Sequence, residues 1–151
     1  MQLKIEKRDL FQVPDEYFFC HCISADFALG AGIAKKFADL GVRDELLALA
    51  EMRRGEHWHG RGYCIQTTSP RPHGTYNLVT KEKYWHKPTL STLRQALADM
   101  LDDDWLYESH AKIAMPKIGC GLDRLRWSDV EPLIREVFAD TDFEILVCDW
   151  S

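Results

Sequence analysis

Five short apolar runs with little polar alternation constrain this chain more than any other feature: Tyr17 to Ile23, Tyr63 to Ile65, Tyr76 to Val79, Ile113 to Met115 and Ile145 to Cys148. A continuous apolar run of strand length suits a strand covered on both faces, as in a parallel sheet between helices. The intervening segments supply the covers. Ile33, Phe37 and Leu40, then Leu90, Leu93, Leu97, Met100 and Leu101, then Leu133, Ile134, Val137 and Phe138 recur at helical spacing, and each set makes one apolar face. Ser128 and Glu131 have capping-box spacing, which predicts that the last helix starts there with Pro132 in its first turn. The fold class expected is α/β, a three-layer α/β/α arrangement whose central, mostly parallel sheet is flanked by helices, with ligand sites at the loops leaving the carboxyl ends of strands.

At 151 residues the chain can bury one substantial core and is too short for two ordinary domains, so residues 1–151 are read as a single domain. No repeat, low-complexity tract or long linker interrupts it; turn-rich joints such as Ser69-Pro70-Arg71-Pro72-His73-Gly74 are short. A 46% hydrophobic share beside 28% charged residues is ordinary for a globular protein, and no apolar stretch is long enough to span a bilayer. The opening Met1-Gln2-Leu3-Lys4-Ile5-Glu6 alternates like a strand and lacks the apolar run of a secretory signal. Five cysteines, an odd number, sit mostly in apolar strand-like runs, which fits a reducing cytoplasm. A soluble cytoplasmic monomer is expected, with no membrane partner.

The net charge of −5 argues against a broad electrostatic hold on nucleic acid, so any such substrate must be gripped locally. Basic residues (Arg53, Arg54, His57, His59, Arg61, Arg71, His73) crowd the middle, and acidic ones (Asp99, Asp102, Asp103, Asp104, Glu108) follow; both read first as solvated faces.

Two glycine loops carry the chemistry. After Ile23 the chain runs Ser24-Ala25-Asp26-Phe27-Ala28-Leu29-Gly30-Ala31-Gly32-Ile33-Ala34 into a helix, a place where free N–H groups and the helix dipole favour a phosphate or diphosphate. Lys35 occupies the third glycine position of a dinucleotide fingerprint, and no P-loop ending is present, so Gly30 and Gly32 either admit an anion or simply shape a tight turn. The second loop, Pro116-Lys117-Ile118-Gly119-Cys120-Gly121-Leu122-Asp123-Arg124, follows the Ile113 strand and can expose successive N–H groups as an anion-binding concavity. Two such loops on neighbouring strand ends would clamp a diphosphate from both sides, which makes a diphosphate-containing nucleotide the expected ligand class.

His21-Cys22-Ile23-Ser24, Gly30-Ala31-Gly32-Ile33-Ala34, Leu78-Val79-Thr80-Lys81, His86-Lys87-Pro88-Thr89 and the run Met115 to Leu125 together resemble the terminal ADP-ribose protein glycohydrolase branch of macrodomains, nearly end to end. The resemblance implies a macrodomain with a mixed sheet and ADP-ribose in a cleft over the strand ends. It places the Asp9 carboxylate and the Leu10 backbone at adenine. Ser24, Gly30, Gly32, Ile33 and Ala34 fall near the phosphates and distal ribose. Lys117, Ile118, Gly119, Cys120, Gly121 and Leu122 surround the diphosphate, with Cys120 a small residue beneath it. Trp150 falls where the chain end touches the nucleoside, although Asp149-Trp150-Ser151 departs from the usual ending. Asp9 read alone is equally a turn cap.

The same resemblance assigns catalysis to Lys81, which attacks the anomeric carbon of the distal ribose, and to Asp123, which moves protons. An amine with a reference pKa near ~10.4 is protonated at neutral pH, so a nucleophilic lysine needs a nearby proton acceptor and exclusion of water. A carboxylate in reach can take that proton. Outside the resemblance, Lys81 reads as a solvated lysine at a strand end and Asp123 as a loop brace.

The implied activity is removal of ADP-ribose from a macromolecule, an acidic side chain of protein or thymidine in DNA. A module that only binds ADP-ribose and a phosphatase acting on ADP-ribose 1″-phosphate are the alternatives. No cofactor is called for. His57-Trp58-His59 and Cys20-His21-Cys22 lack a second ligand pair at zinc spacing, so no metal is expected. Trp85 and His86 either meet the group carrying ADP-ribose or cover the core edge.

Overall fold

The structure is a computed structural model that describes residues 1–52 and 58–150. Six strands form one sheet: β1 (Gln2–Glu6), β2 (Tyr17–Ser24), β3 (Tyr63–Thr67), β4 (Thr75–Lys81), β5 (Lys112–Met115) and β6 (Glu144–Cys148). Their order is β1-β6-β5-β2-β4-β3. Neighbours run parallel throughout except β3, which pairs antiparallel with β4 at the edge. The mostly parallel sheet is the one expected from the apolar runs, and its mixed character is what the macrodomain resemblance implies.

Strand alternation sends side chains into two cores. Phe18 and Cys20 of β2, Tyr76 and Leu78 of β4, Ile113 and Met115 of β5, and Ile145 and Val147 of β6 meet helices α3 (Leu90–Met100) and α5 (Trp127–Val137) on one face. Ile23, Val79, Ala114, Leu146 and Cys148 meet α1 (Gly32–Asp39) and α2 (Val42–Met52) on the other. Burial on both faces is what removes polar alternation from these strands.

Three features depart from the sequence expectations. Helix α2 lies outside the helical patterns read above, although Val42, Leu46 and Leu49 carry helical spacing and pack into the second core. The five-residue α4 (Asp104–Glu108) is also additional; Asp103 caps it by accepting from the Trp105 N–H, and the same carboxylate accepts from the Tyr76 hydroxyl at 2.5 Å. The start of α5 is corrected: the helix begins at Trp127, the cap position is Arg126 without a side-chain cap, and Pro132 lies inside rather than in the first turn. The Arg126 carbonyl already accepts from the Asp129 and Val130 N–H groups, so the chain has turned before Ser128 can act as a cap.

Edge strand β3 is protected from both sides. Gln95 and Asp99 of α3 accept from the Gly62 and Cys64 N–H groups, each at 2.8 Å, and Glu45 of α2 accepts from the Thr68 and Ser69 N–H groups. Capped donors leave less free edge for another strand to join. Asp99 and Asp103, read as part of a solvated acidic face, are therefore structural. Arg53, Arg54 and His57 lie outside the described residues. Among those described, no helix is long and apolar enough to cross a membrane.

Candidate active site

The carboxyl ends of β2, β4, β5 and β6 open into a cavity of about 850 Å³, within the size range of small-molecule sites. The residues expected to catalyse or to bind line it: Asp9 and Leu10 after β1, Ser24 and the stretch from Ala28 to Ala34 of the first loop, Lys81, the second loop from Lys117 to Asp123, and Trp150, whereas Trp85 and His86 do not. The two loops approach each other closely enough that a β-carbon added at Gly32 would stand 3.5 Å from Leu122 Cδ1.

Lys81 and Asp123, far apart in sequence, form an ion pair with Nζ 2.5 Å from Oδ1, their side chains only 12% and 15% exposed. A register shift helps bring them together. Ile23 pairs with Val79 but Ser24 pairs with Lys81, so Thr80 is an extra residue on β4. Such a bulge re-aims the strand end, and here it places the lysine opposite Ser24. The Ala25 N–H then donates to the Lys81 carbonyl at 2.9 Å, anchoring the backbone on which the amine is mounted.

The first loop is held in an uncommon conformation. Phe27 and Leu29 adopt left-handed φ of 53° and 41°, a geometry costing about 1 kcal/mol or more apiece. Both side chains are buried in the second core, and Arg43 Nε donates to the Phe27 carbonyl, which offsets that cost. The second loop turns at Gly119, whose φ is +73°; a β-carbon there would come within 2.8 Å of Leu125 Cδ1. The Leu125 N–H closes this turn on the Gly119 carbonyl at 2.7 Å.

Several expected residues have commitments of their own. Asp9 Oδ1 accepts from the Phe11 N–H and caps the 3-10 turn Leu10–Gln12, which leaves the second oxygen for another donor. Ser24 donates to Asp26 Oδ1 at 2.5 Å. Lys117 pairs with Asp149 at 3.0 Å and lies over the Trp127 ring. Trp85 is 62% exposed and does not cover the core edge. Burial pushes the Cys22 thiol up, with the Asp123 charge adding to it, and burial also raises Cys120. Both are held as thiols rather than nucleophilic thiolates.

His21, Cys22, Tyr84, Lys87 and Asp149 also line the cavity and had not been singled out as site residues. Lys87 donates to the Leu122 carbonyl at 2.8 Å, tying the segment after β4 to the second loop. The run His86-Lys87-Pro88-Thr89 is the sequence signal that marks this segment. His21 Nε2 lies 2.6 Å from Asn77 Oδ1, while the Asn77 amide donates to the Ile65 carbonyl. That network makes Nε2 the protonated nitrogen. Burial lowers the His21 pKa to about 4, with the Asn77 hydrogen bond opposing it, so the ring is neutral. Among the described residues, no three His, Cys, Asp or Glu side chains group as a metal site requires.

The chain matches no protein-family model. The macrodomain of Thermus aquaticus DarG is similar with a TM-score of 0.76 at 23% identity, over 97% of each chain. Thermosipho africanus DarTG in complex with ADP-ribose gives 0.68 at 20% identity, covering 97% of this chain and 41% of that one. The layers, the sheet and the cleft at its strand ends are thus those of a macrodomain. The chain is also 38% identical over 145 residues to the ADP-ribose glycohydrolase OARD1 of Bos taurus, covering 93% of this chain and 87% of that protein. It belongs to this glycohydrolase family of macrodomains, the branch that its sequence motifs resemble.

Proposed function

We propose that this chain binds ADP-ribose in the cleft and removes it from a modified macromolecule, with Lys81 as nucleophile and Asp123 as proton carrier. The observation that carries the reading is the 2.5 Å Lys81–Asp123 pair at the wall of the cavity. The name of the OARD1 relative and the ADP-ribose complex of the DarTG neighbour support the ligand and the reaction class.

In this reading the diphosphate lies between the N-terminus of α1 and the second glycine loop, where N–H groups meet negative charge without a bulky side chain intervening. Asp9 accepts from the adenine amino group, and Trp150 meets the nucleoside. The distal ribose then reaches Lys81. Asp123 takes a proton from the Lys81 amine as Nζ bonds to the anomeric carbon. The bond from that carbon to the acceptor breaks, its electron pair leaves with the acceptor, and the proton passes from Asp123 to the leaving group. Opening of the ribose ring converts the new C–N linkage to a Schiff base. Water adds to it, freeing ADP-ribose and restoring Lys81.

A carboxylate and amine already in contact provide the proton path, and closure around the substrate excludes the water that otherwise keeps the amine charged. The five cysteines are all unpaired, which supports a reducing cytoplasmic location, and we expect a monomer. Two attachment chemistries fit, an acidic protein side chain and thymidine in DNA. The test offers glutamate-linked protein, serine-linked protein and thymidine-linked DNA in parallel and measures released ADP-ribose for the parent and Lys81→Ala. Release from at least one substrate that is lost in Lys81→Ala is the expected result. Unchanged turnover in the variant would remove the mechanism. Phosphate release from ADP-ribose 1″-phosphate that survives the substitution would make the protein a phosphatase.

A further inference from the structure

Asp26 is neither a cavity-lining residue nor part of the Lys81–Asp123 pair, yet its carboxylate gathers three donors from two loops. Oδ1 accepts from the Ser24 hydroxyl at 2.5 Å and from the Ala28 N–H at 3.1 Å. Oδ2 accepts from the Tyr84 N–H at 3.0 Å, a bond spanning 58 positions of sequence. Partial burial acts to raise its pKa, but hydrogen bonds from Ser24, Tyr84 and Ala28 outweigh that and hold the group below the usual carboxylate range. The carboxylate is thus present at neutral pH with both oxygens engaged.

We propose that Asp26 is a positioning residue for Lys81, an inference that rests on the lysine reading above. Lys81 is the last residue of β4, and its backbone direction is set between two anchors. The Ala25 N–H holds the Lys81 carbonyl, and Asp26 holds the chain at Tyr84, three residues later. Both anchors come from the β2–α1 loop. Farther along, Lys87 fastens the same segment to the Leu122 carbonyl, one residue before Asp123. The segment carrying the amine is therefore pinned to the loop expected at the ribose and to the loop bearing the proton acceptor. Without the Asp26 bond, the turn after Lys81 loses its fixed distance from the first glycine loop. The amine then samples positions around the anomeric carbon instead of one.

Asp26 also fixes what Ser24 offers a ligand. The serine proton is committed to Oδ1, so toward the cavity the hydroxyl oxygen accepts. A sugar hydroxyl meeting Ser24 must donate. One carboxylate thereby orients both the group expected at the sugar and the strand end that carries the nucleophile.

Asp26→Asn isolates the link to Tyr84. Its amide oxygen can still accept from Ser24 and Ala28, but its NH₂ would face the Tyr84 N–H, donor against donor. The parent, Asp26→Asn, Asp26→Ala and Lys81→Ala are compared as full chains by thermal melting, by calorimetry with free ADP-ribose, and by single-turnover release from a modified substrate at saturation. The expected result for Asp26→Asn is a release rate about 10- to 100-fold lower, since misplacement of a reacting group by about 1 Å costs on that order, with ADP-ribose affinity within about threefold of the parent. Asp26→Ala should lose at least as much rate. A folded Asp26→Asn with a release rate within about twofold of the parent overturns the proposal, as does a loss confined to affinity. Lys81→Ala separates the two readings. An inactive Lys81→Ala beside a normal Asp26→Asn sinks the positioning role alone, whereas an active Lys81→Ala sinks the lysine mechanism itself.

Discussion

The Lys81 ammonium and the Asp123 carboxylate meet at 2.5 Å although they leave different strands and lie 42 positions apart. The contact makes the two residues unequal targets. Removing the lysine removes the atom that bonds to the sugar, whereas Asp123→Asn keeps the size of the side chain and an oxygen for Lys81 but cannot carry a proton. Lys81→Ala is expected to lower single-turnover release by on the order of 10³-fold or more. Asp123→Asn should lower it by about 10²- to 10⁴-fold, the range of general acid–base catalysis. Both should keep ADP-ribose affinity within about threefold by calorimetry; a tenfold loss of affinity that accounts for the lost rate would assign the pair to binding.

Gly32 supplies a second test, directed at the diphosphate grip. Its φ is +59°, and a β-carbon there would touch Leu122 across the cleft. Gly32→Val adds strain at a left-handed position and places a branched side chain where the two loops converge. ADP-ribose affinity should fall at least about tenfold, equivalent to about 1.4 kcal/mol. The melting temperature should fall less than for a core deletion such as Phe37→Ala, because Gly32 is exposed and Phe37 fully buried. Undiminished affinity in Gly32→Val would mean that the first loop does not hold the ligand.

How much of this was readable in advance follows from the range of the interactions involved. Strands such as β4, buried along nearly its whole length, announce themselves because two-sided burial leaves an apolar run in the chain itself. The two glycine loops are legible for the same reason, being contiguous. Ser128 and Glu131 misled because capping-box spacing is present whether or not the backbone has already turned at Arg126. Helix α2 carries helical spacing at Val42, Leu46 and Leu49 that a search for longer apolar faces passes over, and α4 is too short to show a period. The Thr80 bulge and the Asp26–Tyr84 bond depend on partners distant in sequence, so no local pattern announces them.

The protected edge of the sheet gives a stability prediction. Asp99 Oδ2 accepts from the Cys64 N–H at 2.8 Å in a partly solvated setting. Asp99→Ala should lower unfolding free energy by about 1 kcal/mol, the typical worth of one net hydrogen bond, and raise aggregation on heating as the β3 edge is bared. Asp99→Asn keeps an acceptor and should recover most of the difference. Denaturant unfolding and light scattering during a thermal ramp check both; equal behaviour of the alanine and asparagine variants would show that Asp99 does not guard the edge.

His21 makes the fold acid-sensitive above the range where carboxylates protonate. Its folded pKa is about 4, chiefly through burial, against about 6.5 for an exposed imidazole. Between those values the unfolded chain binds a proton that the folded chain refuses, so unfolding gains from acid. The sign follows: stability is complete above pH ~6.5, declines as pH falls toward about 4, and this contribution levels off below it. The shift corresponds to about 3 kcal/mol across the window, an order-of-magnitude figure. His21→Gln removes the titration and, although it disturbs the stack on Phe37 and the bond to Asn77, should flatten the stability profile between pH ~6.5 and 4. Urea midpoints measured across that window for parent and variant read the slope directly, and parallel profiles would mean that the imidazole accepts its proton without unfolding.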